Sequence, residues 1–275
     1  MPLIPLEDNF DDLINKAQRG LQISDEDLAA RSGVTLEDLS KVKAGELHIA
    51  VLRRVARHLR LGPNALEAMA RKSWYPEMPA FPRGFAAFNT AFEDMTVNSY
   101  LIWDSKTKEA AAFDTGASVE SMLDVISSAR LRLKYIFLTH DHEDHIADLS
   151  RLSAAAPQAE VWSHEEAPLD HPGAQTFQEG VHFHIGDLDI KTLLTAGHAR
   201  GQTTFFISGL SWSLAIVGDS LFASSIGGSP THYEMQVRND RNKIFTLPRD
   251  TVLAAGHGPL TTLTQEKKNN PVFAS

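Results

Sequence analysis

Between Thr139 and His145 the chain sets His140, His142 and His145 among Asp141, Glu143 and Asp144, and no other stretch is so dense in groups that bind protons and metals. Its neighbours decide where it stands. Before it, Leu133 to Leu138 is a short apolar run with β-branched and aromatic members, which predicts a buried strand; after it, Ile146 to Leu152 has helical apolar spacing. The histidines therefore occupy a strand-to-helix turn. His140 and His142, two apart in extended backbone, project to one side, and Asp144 and His145 follow as the helix begins. Two neighbouring clusters of ligands then face one cavity. Imidazole and carboxylate are the ligands of zinc and its first-row neighbours, and catalytic sites combine several of them around an open position. The competing reading is a solvated acidic turn whose histidines only titrate.

Three later segments repeat one setting. Thr195-Ala196-Gly197-His198, Gly218-Asp219-Ser220 and Ala254-Ala255-Gly256-His257 each follow a predicted strand. Loops at strand ends are where scaffolds carry catalytic groups, and glycine lets backbone come close to a metal. Singly, a His or Asp after a strand is more often a turn residue; together, His198, Asp219 and His257 become candidates to complete the turn's ligand set. With no cysteine in the chain, that set must use nitrogen and oxygen, no thiol can serve as nucleophile and no disulfide can form. The absence of disulfides fits a cytoplasmic protein.

The rest of the chain divides by pattern. From about Phe10 to Ala70 it is helical: Ser24 caps a helix that Gly33 ends, Thr35 caps Leu36 to Val42, Ile49 to Leu59 has apolar spacing, and Pro63 opens a further helix. Pro76, Pro79 and Pro82 then forbid regular structure. The expected organisation is a helical domain over 1–73, a Pro-rich linker over 74–84 and a strand-rich domain over 85–275. Strands are predicted at Phe85–Phe88, Ser99–Trp103, Ala110–Phe113, Glu160–Trp162, Asp189–Leu194, Thr203–Ile207 and Leu214–Val217. A helix is predicted over Ser118–Ala129 and an irregular stretch from Pro168 to Gly180. The class is α+β.

Net charge of −9 argues against a whole-protein attraction to nucleic acid or anionic lipid. The first residues lack a basic and apolar leader, and no segment offers the ~18 apolar residues of a span, so a membrane is not expected as a partner.

From about Phe85 to Phe273 the chain resembles the metallo-β-lactamase superfamily, and within it the glyoxalase II type of thioester hydrolase. The resemblance is carried by Thr139 to His145, Gly197-His198, Gly218 to Ala223, and Gly256-His257-Gly258-Pro259-Leu260-Thr261-Thr262 with Glu266 and Asn270-Pro271 behind. It implies a four-layer αββα sandwich with metals at one edge. His140, His142 and His198 would hold one divalent ion, Asp144, His145 and His257 a second, and Asp219 would bridge them. Zinc is the first expectation for both ions, iron or manganese the alternatives. The implied reaction is hydrolysis of an acyl bond, a thioester first, in a small-molecule substrate, by a water activated between the metals, with Asp144 and Asp219 as the catalytic carboxylates. Asp114 and Thr139 are candidates to orient imidazoles. The related persulfide dioxygenases hold a single iron on the same turn and are the alternative activity.

Departures from the family pattern name the substrate candidates. Arg200 stands two residues past His198 and could orient an anionic substrate; His232 and Tyr233 follow Gly227, where the family often has an arginine and an aspartate. The chain after His257 has no counterpart of the C-terminal helical domain that binds glutathione in full-length glyoxalase II. His164 and His171 are read as loop residues bordering the site, His182 and His184 as surface, and His48 and His58 as belonging to the helical domain.

Asp27 to Thr35, followed by Leu39 and Gly45, resembles the helix-turn-helix domains of phage-repressor type. That resemblance implies DNA binding through Thr35 to Lys43, in a regulator whose hydrolase-like domain senses a ligand. Phe10 to Ala70 nevertheless carries nine Lys and Arg against nine Asp and Glu, whereas a DNA reader has a basic footprint. The competing expectation is a bundle that mediates homo-oligomerisation or covers the pocket.

Overall fold

A computed structural model describes residues 3–77 and 80–274. Met78 and Pro79 of the proline-rich connection lie outside the described residues, as do Met1, Pro2 and Ser275. Five short helices come first: α1 (Phe10–Gly20), α2 (Asp25–Ser32), α3 (Leu36–Lys43), α4 (Ile49–His58) and α5 (Pro63–Ala70). Their ends follow local chemistry. Ser24 Oγ accepts from Asp27 N at 3.1 Å, and Thr35 Oγ1 from Asp38 N at 3.0 Å, each satisfying an orphan amide of a helix start. Gly33 closes α2 in the left-handed conformation, and Pro63 opens α5 where its missing N–H costs nothing.

Two six-stranded sheets follow. The first is ordered β1 (Phe85–Phe92), β2 (Met95–Trp103), β3 (Glu109–Phe113), β4 (Arg132–Phe137), β5 (Glu160–His164), β6 (Gln175–Phe177). It is antiparallel through β3 and parallel from β3 to β6. The second runs β12 (Thr261–Thr262), β11 (Val252–Ala255), β10 (Leu214–Gly218), β9 (Thr203–Ser208), β8 (Leu188–Leu194), β7 (His182–Ile185), with β10 and β11 parallel and the rest antiparallel.

The pleat sorts side chains into layers. Ala111 and Phe113 of β3 join Phe137, Phe205, Ile216 and Ala254 in the core between the sheets. Their neighbours Ala110 and Ala112 face outward, to Met122 of α6 (Glu120–Ser128) and Leu149 and Leu152 of α8 (Leu149–Ala155). Ala215 and Val217 of β10 alternate with Leu214 and Ile216 in the same way and face a third core. That third core contains Leu13, Ile14, Leu52 and Leu66 of the first helices, together with Tyr233 of α9 (Tyr233–Asn239) and Leu263 of α10 (Leu263–Asn269). The order helix, sheet, sheet, helix is the expected sandwich, with the N-terminal helices packed on its second sheet. Among the described residues of 74–84 no helix or strand is assigned, and the helices before it share an apolar core with the sandwich after it.

Other departures from the sequence reading are local. The stretch read as irregular contains β6, a three-residue edge strand in which only Phe177 is buried; so short a run, among Pro168, Pro172, Gly173 and Gly180, shows no alternation to read. The helix after the histidine turn is two: α7 (Glu143–Ile146), which begins within the turn, and α8. A π-helical turn, Asp240–Ile244, extends α9. Among the described residues no helix is long and apolar enough to cross a membrane.

Tyr233 packs on Gly20 of α1 and is 5% exposed. Tyr233→Ala should lower unfolding free energy by about 3–5 kcal/mol, the scale of removing a buried aromatic ring, as read from urea denaturation. A midpoint equal to that of the parent would show that this packing between helix and sandwich contributes nothing.

Candidate metal centre

Four strand ends converge at one edge of the sandwich. β4 delivers Thr139 and His140, with His142 before the first turn of α7 and Asp144 and His145 within it; His198 follows β8, Asp219 follows β10 and His257 follows β11. His140, His142 and His198 present ligand atoms within 4.8 Å of one another, as do Asp144, His145 and His257, and as do His140, His145 and Asp219. Asp219 stands between the two outer groups. Its Oδ1 is 3.3 Å from His145 Nε2, and its Oδ2 is 3.5 Å from His198 Nε2 and 3.4 Å from His257 Nε2. Asp144 Oδ2 lies 3.2 Å from His257 Nε2 and 3.4 Å from His145 Nε2. All seven side chains singled out from sequence as ligands thus meet. Backbone approaches as closely as the glycines suggested: a Cβ at Gly256 would fall 2.1 Å from Asp219 Oδ1.

Hydrogen bonds behind the cluster fix which nitrogen each ring points inward. Asp114, buried at the end of β3, accepts from Thr139 N at 2.7 Å on Oδ1 and from Thr139 Oγ1 at 2.8 Å on Oδ2. Oδ2 also lies 2.8 Å from His145 Nδ1, which must therefore donate. Because the Thr139 hydroxyl has one proton and gives it to Asp114, His140 Nδ1–H donates to Thr139 Oγ1 at 3.0 Å. His198 Nδ1–H donates to Gly228 O and His257 Nδ1–H to Thr96 O, both at 2.8 Å. In all four rings Nε2 is left for the cavity, the arrangement metal-binding histidines use. Asp114 and Thr139 occupy the orienting positions expected of them.

A cation fits this geometry. His140 Nε2 is buried with no hydrogen-bond partner, and His145 Nε2 and Asp219 Oδ1 are buried facing each other at 3.3 Å, a set of lone pairs that a shared positive ion would satisfy. His142 Nδ1 and His198 Nε2 face each other at 3.0 Å, which requires a proton or a metal between them. Burial would lower His145, but the Asp219 and Asp114 carboxylates outweigh it and push it up to about 10. Burial likewise opposes Asp219 and Asp144 at His257, which is pushed up to about 11. Burial, with the charge of His145 second, holds His140 well below the usual imidazole range. Asp219 stays well below the usual carboxylate range, because His257 and His145 overcome the effect of its burial.

The substrate candidates lie further out. Arg200 is exposed and pairs with Glu166 at 3.1 Å. His232 is exposed at the start of α9, its Nδ1 2.8 Å from Thr231 Oγ1, while the Tyr233 side chain turns into the core shared with α1. His164, read as a loop residue, ends β5 and is buried, its Nδ1 accepting from Glu166 N at 3.1 Å. His182 and His184 pair with Asp189 on the surface, at 2.9 and 3.4 Å. Sequence reasoning missed Asn98, whose Nδ2 donates to Ala255 O at 3.0 Å and Gly258 O at 2.8 Å. It thereby holds the chain on both sides of His257 from across the sandwich. Nothing in a lone asparagine within a β-branched strand signals that role.

Comparison with known proteins agrees with this architecture. The family model described as the Metallo-beta-lactamase superfamily matches residues 93–257. A hydroxyacylglutathione hydrolase, GloC of Haemophilus influenzae, is 30% identical over 209 residues, covering 68% of this chain and 95% of that protein. Among solved structures, the BLEG-1 B3 metallo-beta-lactamase superposes with a TM-score of 0.59 at 25% identity, over 69% of this chain and 100% of that one. ETHE1 from Myxococcus xanthus gives 0.59 at 24% identity, over 69% and 86%. The family match begins beyond the first five helices.

An imidazole raised in the folded state stabilises the metal-free protein fully below its ordinary value of 6.5, and that contribution is lost as pH rises through about 10 for His145 and about 11 for His257. Both rings are therefore protonated near neutrality in the metal-free protein and must be neutral to bind metal. Metal loading near pH 7.5 should release about two protons per chain, measured by titration calorimetry in buffers of different ionisation enthalpy. Heats independent of buffer would remove His145 and His257 from the ligand set.

Proposed function

Since the chain belongs to the metallo-β-lactamase superfamily, we propose that it is a binuclear metal-dependent hydrolase of acyl bonds, with a thioester as the first substrate class. The observation that carries this reading is Asp219, whose two carboxylate oxygens face His145 on one side and His198 and His257 on the other at 3.3–3.5 Å. Two divalent ions, zinc first and iron or manganese as alternatives, would supply a water of lowered pKa and polarise the scissile carbonyl. His140, His142 and His198 would hold one, and Asp144, His145 and His257 the other. Asp219 sets the spacing between the two groups, and Asp114, by accepting a hydrogen bond from His145 Nδ1, turns Nε2 of that ring toward the cavity. The relatives named as hydroxyacylglutathione hydrolases supply the choice of a thioester. Arg200, exposed and two residues past His198 in sequence, is proposed to exchange its Glu166 partner for negatively charged parts of the substrate.

The test is turnover of S-lactoylglutathione and simpler acyl thioesters, with lactones and a persulfide alongside and oxygen uptake followed in parallel. Thioester hydrolysis is expected. Asp219→Ala should lower kcat by at least about 10²-fold, the scale of losing a principal electrostatic stabiliser. Oxygen consumption with the persulfide and no thioester turnover would instead assign a dioxygenase, and full activity of Asp219→Ala would remove the mechanism.

For the five N-terminal helices we propose a role in covering the sandwich or in self-association rather than in reading DNA. Three basic side chains on and near α3 are paired with acids: Lys41 with Glu37 at 2.6 Å, Lys43 with Asp25 at 2.5 Å and Arg31 with Asp27 at 3.6 Å. With nine acidic against nine basic residues over Phe10 to Ala70, the unit has little net charge to displace counterions from phosphate. Mobility shifts at low salt with genomic fragments, including the promoter of the chain's own gene, should give no selective complex; a sequence-selective complex that weakens steeply with salt would refute the proposal.

A further inference from the structure

One buried amide outside the ligand set touches both ends of the loop that runs from Asp219 to Gly228. Gln236, in α9, is 0% exposed. Its Nε2 donates to Ser220 O at 3.0 Å and Gly227 O at 3.2 Å, and Asp219 O lies at the limit, 3.5 Å. The reversed amide would aim its oxygen at three carbonyls, so the orientation is fixed by its surroundings. The loop is closed again where Gly227 N donates to Asp219 O at 3.1 Å. At its beginning the loop carries the Asp219 carboxylate; at its end it carries Gly228 O, the acceptor that sets His198 Nδ1–H.

The loop that carries His198 is seated on the same helix. A Cβ at Gly197 would fall 2.3 Å from Gln236 Cβ and 2.6 Å from its Cα, and Asn239 Nδ2 donates to Ala196 O at 2.7 Å. The space between the two loops is equally closed: a Cβ at Gly227 would fall 2.0 Å from Asp219 O and 2.9 Å from His198 Nδ1. One residue therefore fixes the bridging carboxylate and one imidazole against each other without reaching either side chain.

We infer that Gln236 is a positioning residue, which holds Asp219 and His198 in the register where both can face the same cation. The inference rests on the reading of these side chains as metal ligands. Ligand distances in a metal site tolerate only about 0.2 Å, so relaxation of the loop is felt at once. Without the amide, Ser220 O and Gly227 O lose a buried donor, and the chain between them is held at one point fewer.

Cobalt(II) titration of the metal-free, full-length protein tests this, reading affinity by chelator competition and geometry from the visible absorption bands. Gln236→Met keeps the side-chain length and removes the donor. It should bind cobalt about 10- to 100-fold more weakly, the cost of losing an outer partner of a metal ligand, with altered bands and an unchanged far-ultraviolet circular dichroism spectrum. A parent that binds cobalt and a variant with the same affinity and bands overturn the inference alone; a parent that binds none overturns the metal reading beneath it. Gln236→Leu is a second probe should the methionine variant not fold; it too removes the donor, and cobalt affinity and bands equal to the parent's would likewise overturn the inference.

Discussion

The site depends on a balance of buried charge. Asp114, Asp144 and Asp219 stand among five imidazoles at an edge where His145 is 0%, His140 3% and Asp219 5% exposed. Carboxylates so placed need positive charge within a few ångströms, since desolvated ions without partners are costly. Protons on His145 and His257 supply it in the metal-free protein; a divalent cation would supply it in the proposed loaded state, through the same nitrogens and carboxylates. The hydrogen bonds behind the cluster hold its shape. Asp114 is central to that second layer, because it fixes Thr139 by two contacts and His145 by one.

The side chains that converge were legible in the sequence as candidates because the histidine turn and three later segments each follow an apolar run, a local pattern that needs no knowledge of the fold. Four of the first helices were legible for a similar reason: Ser24, Thr35 and Pro63 mark starts and Gly33 an end by chemistry that acts within one turn, and Ile49 to Leu59 has apolar spacing. What was not legible acts across the chain. Asn98 reaches Ala255 and Gly258 from another sheet, and Gln236 reaches backbone carbonyls whose positions no side-chain pattern records. The strand β6 escaped because three residues with one buried member carry no periodicity. Tyr233 stands beside loop residues in sequence, yet the turn into α9 rotates its ring away from them and into the core of the first helices.

That core also explains why a charge-balanced helical unit adjoins a hydrolase sandwich. The outward side chains of β10 and β11, Ala215, Val217, Leu253 and Ala255, are small or medium apolar groups, and α9 and α10 cover them only in part; Leu13, Ile14, Leu52 and Leu66 join the same cluster. The first helices thus act as material of the fourth layer. Their interior face is committed to the sandwich, whatever their outer face binds.

The two ends of the chain are joined by this arrangement: Gly62 N donates to Pro271 O at 2.7 Å, Tyr75 Oη donates to Ile4 O at 2.7 Å, and Val272 and Phe273 share a core with Phe10 and Leu13. Part of the core around Phe10 and Leu13 is therefore completed only by residues far away in sequence, Val272 and Phe273. Contacts of such long sequence separation slow folding and leave apolar surface open in the interval. A substitution at Val272 or Phe273 would thus act on the packing of the N-terminal helices, however far those residues stand from them in sequence.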